Sequence, residues 1–300
     1  MAISDFQNIY DSLKRREKRR LIIANGVDIH SIEAAYRAQN EGYVSVIITG
    51  DQKLFEKQCL SVNIPSSDFQ VVNCYSEEEA VTKAVELVRE KKADLIMKGL
   101  VNTDKFLKGI LDKQKGLLNP GTLLSHVTLI SNQNYGKPLL VSDVAIIPLP
   151  TLEQKVKMTG YLIDVAHKIG IDCPKVAFIA ATEKIISGMV ATVDAGMLKE
   201  MWLNGSFPNS FCDGPMALDL AIDKESVMIK NFSSPVAGDA DCLLFPNIES
   251  GNVFYKTNTK MCGSQTAAIV VGTMVPAILS SRGDSMETKL NSIALASLIG

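Results

Sequence analysis

The sequence predicts an α/β protein of two domains with mostly parallel strands, and three observations carry that prediction. Short β-rich runs alternate with helical patterns along the chain, the signature of βαβ units. The chain has 300 residues, more than one ordinary core holds. Hydrophobic residues make up 46% of it and charged residues 21%, a globular rather than a disordered composition. No internal repeat points to a solenoid.

The elements follow in order. Residues 21–24 (Leu-Ile-Ile-Ala) form the first buried strand, 44–49 the second, ended by Gly50, and 69–72 the third. Ser76 and Glu79 make a capping-box pattern that opens a helix to about Lys91. Residues 93–97 read as a strand ended by Lys98-Gly99. Residues 139–143 start a second series, punctuated by Pro148 and Pro150. Thr151 and Gln154 form another capping box, and the helix behind it carries Leu152, Val156, Ile163 and Ala166 on one face. Strands at 176–180, 242–245, 268–271 and 277–279 follow, then a final helix from about Ser285 to Leu298. With no linker-like composition, a domain boundary is expected near residue 143. The basic run at 14–20 reads as the last turn of an N-terminal helix, where cations suit the macrodipole.

Several function classes drop out. Net charge is −2, without the basic excess of a protein built to hold nucleic acid. The first residues show no signal-peptide pattern. No apolar run approaches the roughly 20 residues of a membrane span. The protein is therefore expected to be soluble and cytoplasmic, without membrane or nucleic-acid partners. Its six cysteines form no C-x-x-C pair and read as reduced, mostly buried side chains. Three scattered histidines, at 30, 126 and 167, make a histidine-based metal centre unpromising. There is no P-loop, no G-x-G-x-x-G after the first strand and no G-x-S-x-G elbow.

Three segments offer chemistry. In the run 279–287 a strand ends, a polar turn follows and a helix begins. Asp284 or Ser285 can cap that helix, with Glu287 completing a D-x-x-E box with Asp284. Such a turn points backbone N–H groups at an anion. Arg282 adds a planar fork for phosphate, and Ser281 a small donor. A plain capped helix with an exposed arginine explains the same residues equally well. The segment 97–103 also joins a strand to a helix: Thr103 can donate to an anion, and Lys98 and Lys108 can supply charge. Its alternative is an ordinary N-cap at Asn102 or Thr103 with Lys108 on the surface. In 251–256, Asn252 can cap a helix or orient a ligand, and Lys256 lies one turn on, on the same face. Ser125 and His126 are adjacent on a strand and point to opposite faces, so His126 reads as structural.

Taken in order from about residue 93 to the C-terminus, these segments resemble the phosphate acetyl/butyryltransferase family. The resemblance rests on Met97-Lys98-Gly99 with Thr103, Leu124-Ser125-His126-Val127, Ser142-Asp143, Pro150-Thr151-Leu152-Glu153-Gln154-Lys155, Asp213-Gly214-Pro215 with Asp219, Val236-Ala237-Gly238-Asp239-Ala240-Asp241, Gly251-Asn252-Val253-Phe254-Tyr255-Lys256 and Ser281-Arg282-Gly283-Asp284-Ser285. The L-S-H-V segment and the S-R-x-D-S ending point to the butyryltransferase branch.

The resemblance implies an isocitrate/isopropylmalate dehydrogenase-like fold: two α/β domains flanking a cleft, in a homodimer. The expected division is 1–143 plus 284–300 for one domain and 144–283 for the other. It implies transfer of a short acyl group, butyryl or branched, between coenzyme A and phosphate. Coenzyme A and phosphate are substrates, with no metal, no further cofactor and no covalent acyl-enzyme. Arg282 is expected to hold phosphate and Ser281 to hydrogen-bond the thioester oxygen or the departing thiolate. Asp284 or Glu287 supplies the base. Lys98, Thr103, Lys108, Asn252 and Lys256 are expected to line the substrate pocket.

Two positions depart from the pattern. The acetyl branch has an Asp where this chain has Thr288, and family members usually have Arg where it has Lys108, which loses the bidentate fork. Alternatives of other kinds are a phosphate acetyltransferase, a non-catalytic coenzyme A-binding homologue, and a metal- and NAD-dependent dehydrogenase on the same fold.

Overall fold

The computed structural model describes residues 3, 5–279 and 283–300. It is a mixed α/β fold with mostly parallel strands, divided into two compact units. The N-terminal unit comprises Phe6–Leu124 and Ala267–Gly300; the central unit is Ser125–Thr266, to which Ile3 is tied by its N–H donating to the Ile169 carbonyl at 3.1 Å.

The chain begins with α1 (Phe6–Leu13), β1 (Arg19–Ala24), α2 (Ile29–Asn40), β2 (Val44–Gly50), α3 (Gln52–Ser61), a 3₁₀ turn (Ser66–Asp68), β3 (Gln70–Asn73), α4 (Glu77–Arg89), β4 (Leu95–Lys98) and α5 (Thr103–Ile110). The central unit follows with β5 (Ser125–Ser131), β6 (Leu139–Ser142), α6 (Leu152–Lys168), β7 (Lys175–Ile179), α7 (Val190–Leu203), β8 (Phe211–Met216), α8 (Leu218–Ile222), α9 (Lys224–Ile229), β9 (Cys242–Leu244) and α10 (Ile248–Lys260). The chain ends with β10 (Gln265–Val271), β11 (Ala277–Ile278) and α11 (Met286–Ile299).

In the N-terminal unit the strands run in the order β3-β2-β1-β4-β11-β10, parallel except for the antiparallel β10–β11 contact. β1 lies inside this order, and its Leu21, Ile22 and Ile23 are fully buried. A continuous apolar run, rather than an alternating one, is what a parallel strand covered on both faces requires. In the central unit the order is β5-β6-β9-β7-β8, with only β5–β6 antiparallel. Its core gathers Val141, Ala177, Met216, Leu243 and Phe245.

Two of the predicted helix starts are realised. Thr151 and Gln154 form a reciprocal capping box at α6. Ser76 caps α4 by accepting from the Glu79 N–H at 3.1 Å. The Glu79 carboxylate reaches one residue further back than the box pattern expects, to the N–H of Tyr75 at 2.7 Å.

Three expectations change. The units part at 124/125 and 266/267, where the sequence reading placed the division at 143/144 and 283/284. The reason is strand pairing. β5 and β6 form an antiparallel pair and β6 joins β9, which holds residues 125–142 to the central unit. β11 pairs with β4, and α11 packs on α1 and α2, which returns the chain after 266 to the N-terminal unit. The basic run at 14–20 does not end α1, which stops at Leu13. Instead Arg16 donates to the Leu298 carbonyl at 2.9 Å and Arg19 to the Gly300 carbonyl. The cations serve a helix C-terminus, but that of α11. Gly251-Asn252 does not open α10: Asn247 is the cap, accepting from the Ser250 N–H at 2.9 Å.

Four of the six cysteines are buried, and all are free. No helix among the described residues is long and apolar enough to cross a membrane.

Candidate functional site

In the N-terminal unit, β1, β4 and β11 are parallel neighbours, so the turns after them leave the same edge. Ligands of open α/β sheets bind outside the carboxyl ends of strands. The turns after β1 and β4 are bound together tightly. The Gly99 N–H donates to the Ala24 carbonyl at 2.9 Å, and the Leu100 N–H to the Asn25 carbonyl at 2.8 Å. The Asn25 side-chain amide donates to the Leu100 carbonyl, and Asn25 takes the left-handed conformation (φ 54°) that Asn tolerates.

Gly99 permits this approach. A Cβ there would lie 2.4 Å from the Asn25 carbonyl oxygen. Gly99→Ala is expected to cost about 1–3 kcal/mol, the usual range for forced overpacking, and to be read as a lower midpoint in thermal or urea unfolding. An unchanged midpoint would show that the two turns can part freely.

Lys98 ends β4 and is only 3% exposed. Its ammonium donates to the carbonyls of Gly99 at 3.3 Å and Val101 at 3.1 Å, so it braces the turn it was expected to charge. Asn102 caps α5, accepting from the Asp104 N–H at 2.9 Å. Thr103 is therefore the first helical residue, and it is exposed. Lys108, also exposed, lies about 7–8 Å further along the helix axis and contributes to the positive field that lowers the Glu78 carboxyl, a shift led by the Lys105 hydrogen bond.

The turn after β11 carries the strongest sequence candidates. Ser281 and Arg282 lie outside the described residues. Beyond them, Ser285 rather than Asp284 caps α11, accepting from the Thr288 N–H at 3.2 Å. The D-x-x-E box is not formed: Glu287 is an exposed residue of the first turn. Its charge adds to the field on Tyr10, whose hydroxyl burial pushes up to about 12 against the opposing effect of Arg37. Asp284 is half-buried.

The sequence missed Lys289, one turn into α11 and 3% exposed. Burial pulls its ammonium below the usual lysine range, against the raising effect of Asp28 and Asp284. Asp28 caps α2 through one carboxylate oxygen, accepting from the Ser31 N–H at 2.9 Å. Its other oxygen and the Ser31 hydroxyl are buried without a hydrogen-bond partner among the described residues. Asp28, Asp284 and Lys289 thus form a charged group beside the turn after β11.

In the central unit the corresponding feature is the loop after β6. Asp143 is 2% exposed. One of its oxygens accepts from the Ser125 hydroxyl and the His126 N–H, both at 2.9 Å. The other accepts from the Ala145 and Ile146 N–H groups, both at 2.8 Å. Asn252, on the second turn of α10, donates its side-chain amide to the Val144 carbonyl at 2.9 Å. Lys256 is exposed and sits 4.9 Å from the centre of the Tyr255 ring. His126, read from sequence as structural, is buried with its Nδ1 3.2 Å from the Thr128 hydroxyl.

Polar turns at the carboxyl ends of parallel strands are the layout of an α/β enzyme. The family model described as phosphate acetyl/butaryl transferase matches residues 75–297. The chain is 41% identical over 297 residues to the phosphate butyryltransferase of Clostridium acetobutylicum, covering 99% of this chain and 98% of the relative. It is 35% identical over 286 residues to the phosphate acetyltransferase of Thermotoga maritima, covering 95% and 97%. A branched-chain phosphotransacylase structure from Enterococcus faecalis superposes with a TM-score of 0.83 at 29% identity, over 93% of this chain and 99% of that one. The chain belongs to the phosphate acetyl/butyryl transferase family and is a transferase.

Proposed function

We propose that the protein interconverts a short-chain acyl-CoA, butyryl or branched, and inorganic phosphate with the acyl phosphate and coenzyme A. The observation that carries this reading is the full-length likeness to phosphate butyryltransferase. In the forward direction a phosphate oxygen attacks the thioester carbonyl carbon. The carbon–sulfur bond breaks, its electron pair leaves on sulfur, and the thiolate takes up a proton. Phosphate is already a nucleophile, so the residues have to position it and stabilise developing charge.

On this reading Arg282 holds phosphate and Ser281 donates to the thioester oxygen or the leaving sulfur. Asp284 takes the thiol proton in the reverse direction. Thr103, Asn252 and Lys256 contact substrate. Lys98 acts through the turn it braces. Lys108, further along α5 from Thr103, and Glu287, in the first turn of α11, belong to the same proposal as residues that bear on the substrate.

The isocitrate/isopropylmalate dehydrogenase-like architecture and a cytoplasmic location belong to this proposal. So does a homodimer. Its support is the exposure of the apolar side chains Ile185, Val190, Met197, Met228 and Ile229 on the central unit.

The likeness to a phosphate acetyltransferase keeps acetyl as the second candidate cargo. Incubation with phosphate and butyryl-, isobutyryl- or acetyl-CoA, followed by thiol release, separates them. Phosphate-dependent release fastest with butyryl- or isobutyryl-CoA is expected. Acetyl-CoA turning over fastest would change the cargo, and no phosphate-dependent release with any of the three would overturn the reading.

A further inference from the structure

We infer that Asp143 is a positioning residue for Asn252 and Lys256: its carboxylate shapes the loop after β6 on which α10 is seated. The inference deepens the proposed function and rests on it.

Asp143 is a buried carboxylate whose four identified donors are neutral: one hydroxyl and three backbone N–H groups. Two of those donors, Ser125 and His126, belong to β5, and two, Ala145 and Ile146, to the loop itself. One side chain therefore joins the strand beside β6 to the turn that leaves β6. Hydrogen bonds to an ionised acceptor are about twice as strong as neutral ones. The two loop bonds, at two and three residues ahead, are those of an Asx-type turn, so they fix where the next carbonyls point.

α10 uses those carbonyls. The Asn252 amide donates to the Val144 carbonyl. The Ile248 N–H donates to the Pro148 carbonyl at 2.9 Å. Gly251 lies so close that a Cβ there would be 2.3 Å from the Asp143 carbonyl oxygen. Three consecutive features of the helix are thus referred to one loop. Because Val144 offers an acceptor, the contacting atom of Asn252 must be its nitrogen, which fixes the orientation of the amide. Lys256 follows on the same helical face, four residues on. If the turn at 143–146 relaxes, the Val144 carbonyl moves and Asn252 loses its reference.

Asparagine at 143 keeps the shape but turns one acceptor oxygen into a donor that faces two donors. The test is a double-mutant cycle of Asp143→Asn with Asn252→Ala, measuring kcat and KM for both substrates. In the wild-type background Asp143→Asn should lower kcat/KM about tenfold or more, with the same division between kcat and KM that Asn252→Ala shows. In the Asn252→Ala background the further loss should be under about twofold, the mark of coupled residues.

Ser125→Ala is the milder second variant, for use if Asp143→Asn fails to fold. It removes one donor from the carboxylate and should give a smaller loss with the same coupling to Asn252. Equal fold losses in both backgrounds, or an Asn252→Ala enzyme with unchanged kinetics, would overturn the positioning role while wild-type turnover leaves the proposed function standing. A wild-type protein without phosphate-dependent turnover would instead remove the function itself.

Discussion

Replacing Asp194 by alanine is expected to destabilise the protein by about 3–5 kcal/mol, the range for breaking a buried ion pair from one side. Its partner Lys155 is only 3% exposed, and the ammonium lies 2.6 Å from the Asp194 carboxylate. Lys155 is the fourth residue of α6, so its charge sits at the positive end of the helix dipole, where a cation is disfavoured. The capping box at Thr151 and Gln154 fixes that helix start. Without Asp194 the ammonium is left buried beside a helix N-terminus with its carboxylate gone.

Replacing both partners by apolar residues should recover much of the loss, since the pair is costly to desolvate as well as costly to break. The contrast is Lys83–Glu86, whose side chains are 47% and 43% exposed. Glu86→Gln should shift stability by less than about 0.5–1 kcal/mol. Denaturant unfolding compares the two directly. An Asp194→Ala shift no larger than that of Glu86→Gln would mean that water reaches Lys155 and that the pair contributes as a surface pair does.

What the sequence discloses depends on whether the deciding interaction is local. The apolar run of β1 and the helix caps at 76 and 151 are legible because period and spacing decide them within a few residues. The strand Phe211–Met216 is not: Asp213, Gly214 and Pro215 argue against a strand, and its pairing with β7 decides otherwise. The α11 cap shows the limit of local reading. Asp284 and Ser285 are adjacent and chemically equivalent as caps, and the sequence cannot rank them. The backbone of Ser285, at φ −66° and ψ 160°, places its hydroxyl on Thr288. In the same way the basic run at 14–20 was legible as a macrodipole partner, but its helix lies at the other end of the chain.

The site divides along the same line. As candidates, Thr103, Asn252 and Lys256 stand out in the sequence because each belongs to a short strand-to-helix or helical pattern. Asp143 was part of the family resemblance but carried no role, because its carboxylate is engaged by a hydroxyl and an N–H on β5, 18 and 17 residues back in the chain. Lys289 escaped because a lysine one turn into a helix reads as surface. It is buried because α11 packs against α1 and α2, with Asp28 and Asp284 to offset part of the cost. Such a lysine signals a charged group only once the helices are placed.

Arg282→Lys is expected to raise the apparent KM for phosphate about ten- to hundredfold. Arginine presents a planar fork that meets two phosphate oxygens at once, whereas lysine offers a compact point charge. A hydrogen bond to a charged group contributes about 1.5–3 kcal/mol, so losing one arm of the fork gives a loss of that size. The substitution keeps the charge, and the cap of α11 rests on Ser285 and Thr288. KM for acyl-CoA at saturating phosphate should therefore move less than KM for phosphate, and the unfolding midpoint should stay close to wild type. Initial rates across a phosphate series, at fixed and saturating acyl-CoA, measure both. A phosphate KM within twofold of wild type would take Arg282 off the phosphate. Equal rises for both substrates would make it a residue that shapes the turn, leaving Ser281 and the Asp284–Lys289 group to carry the chemistry.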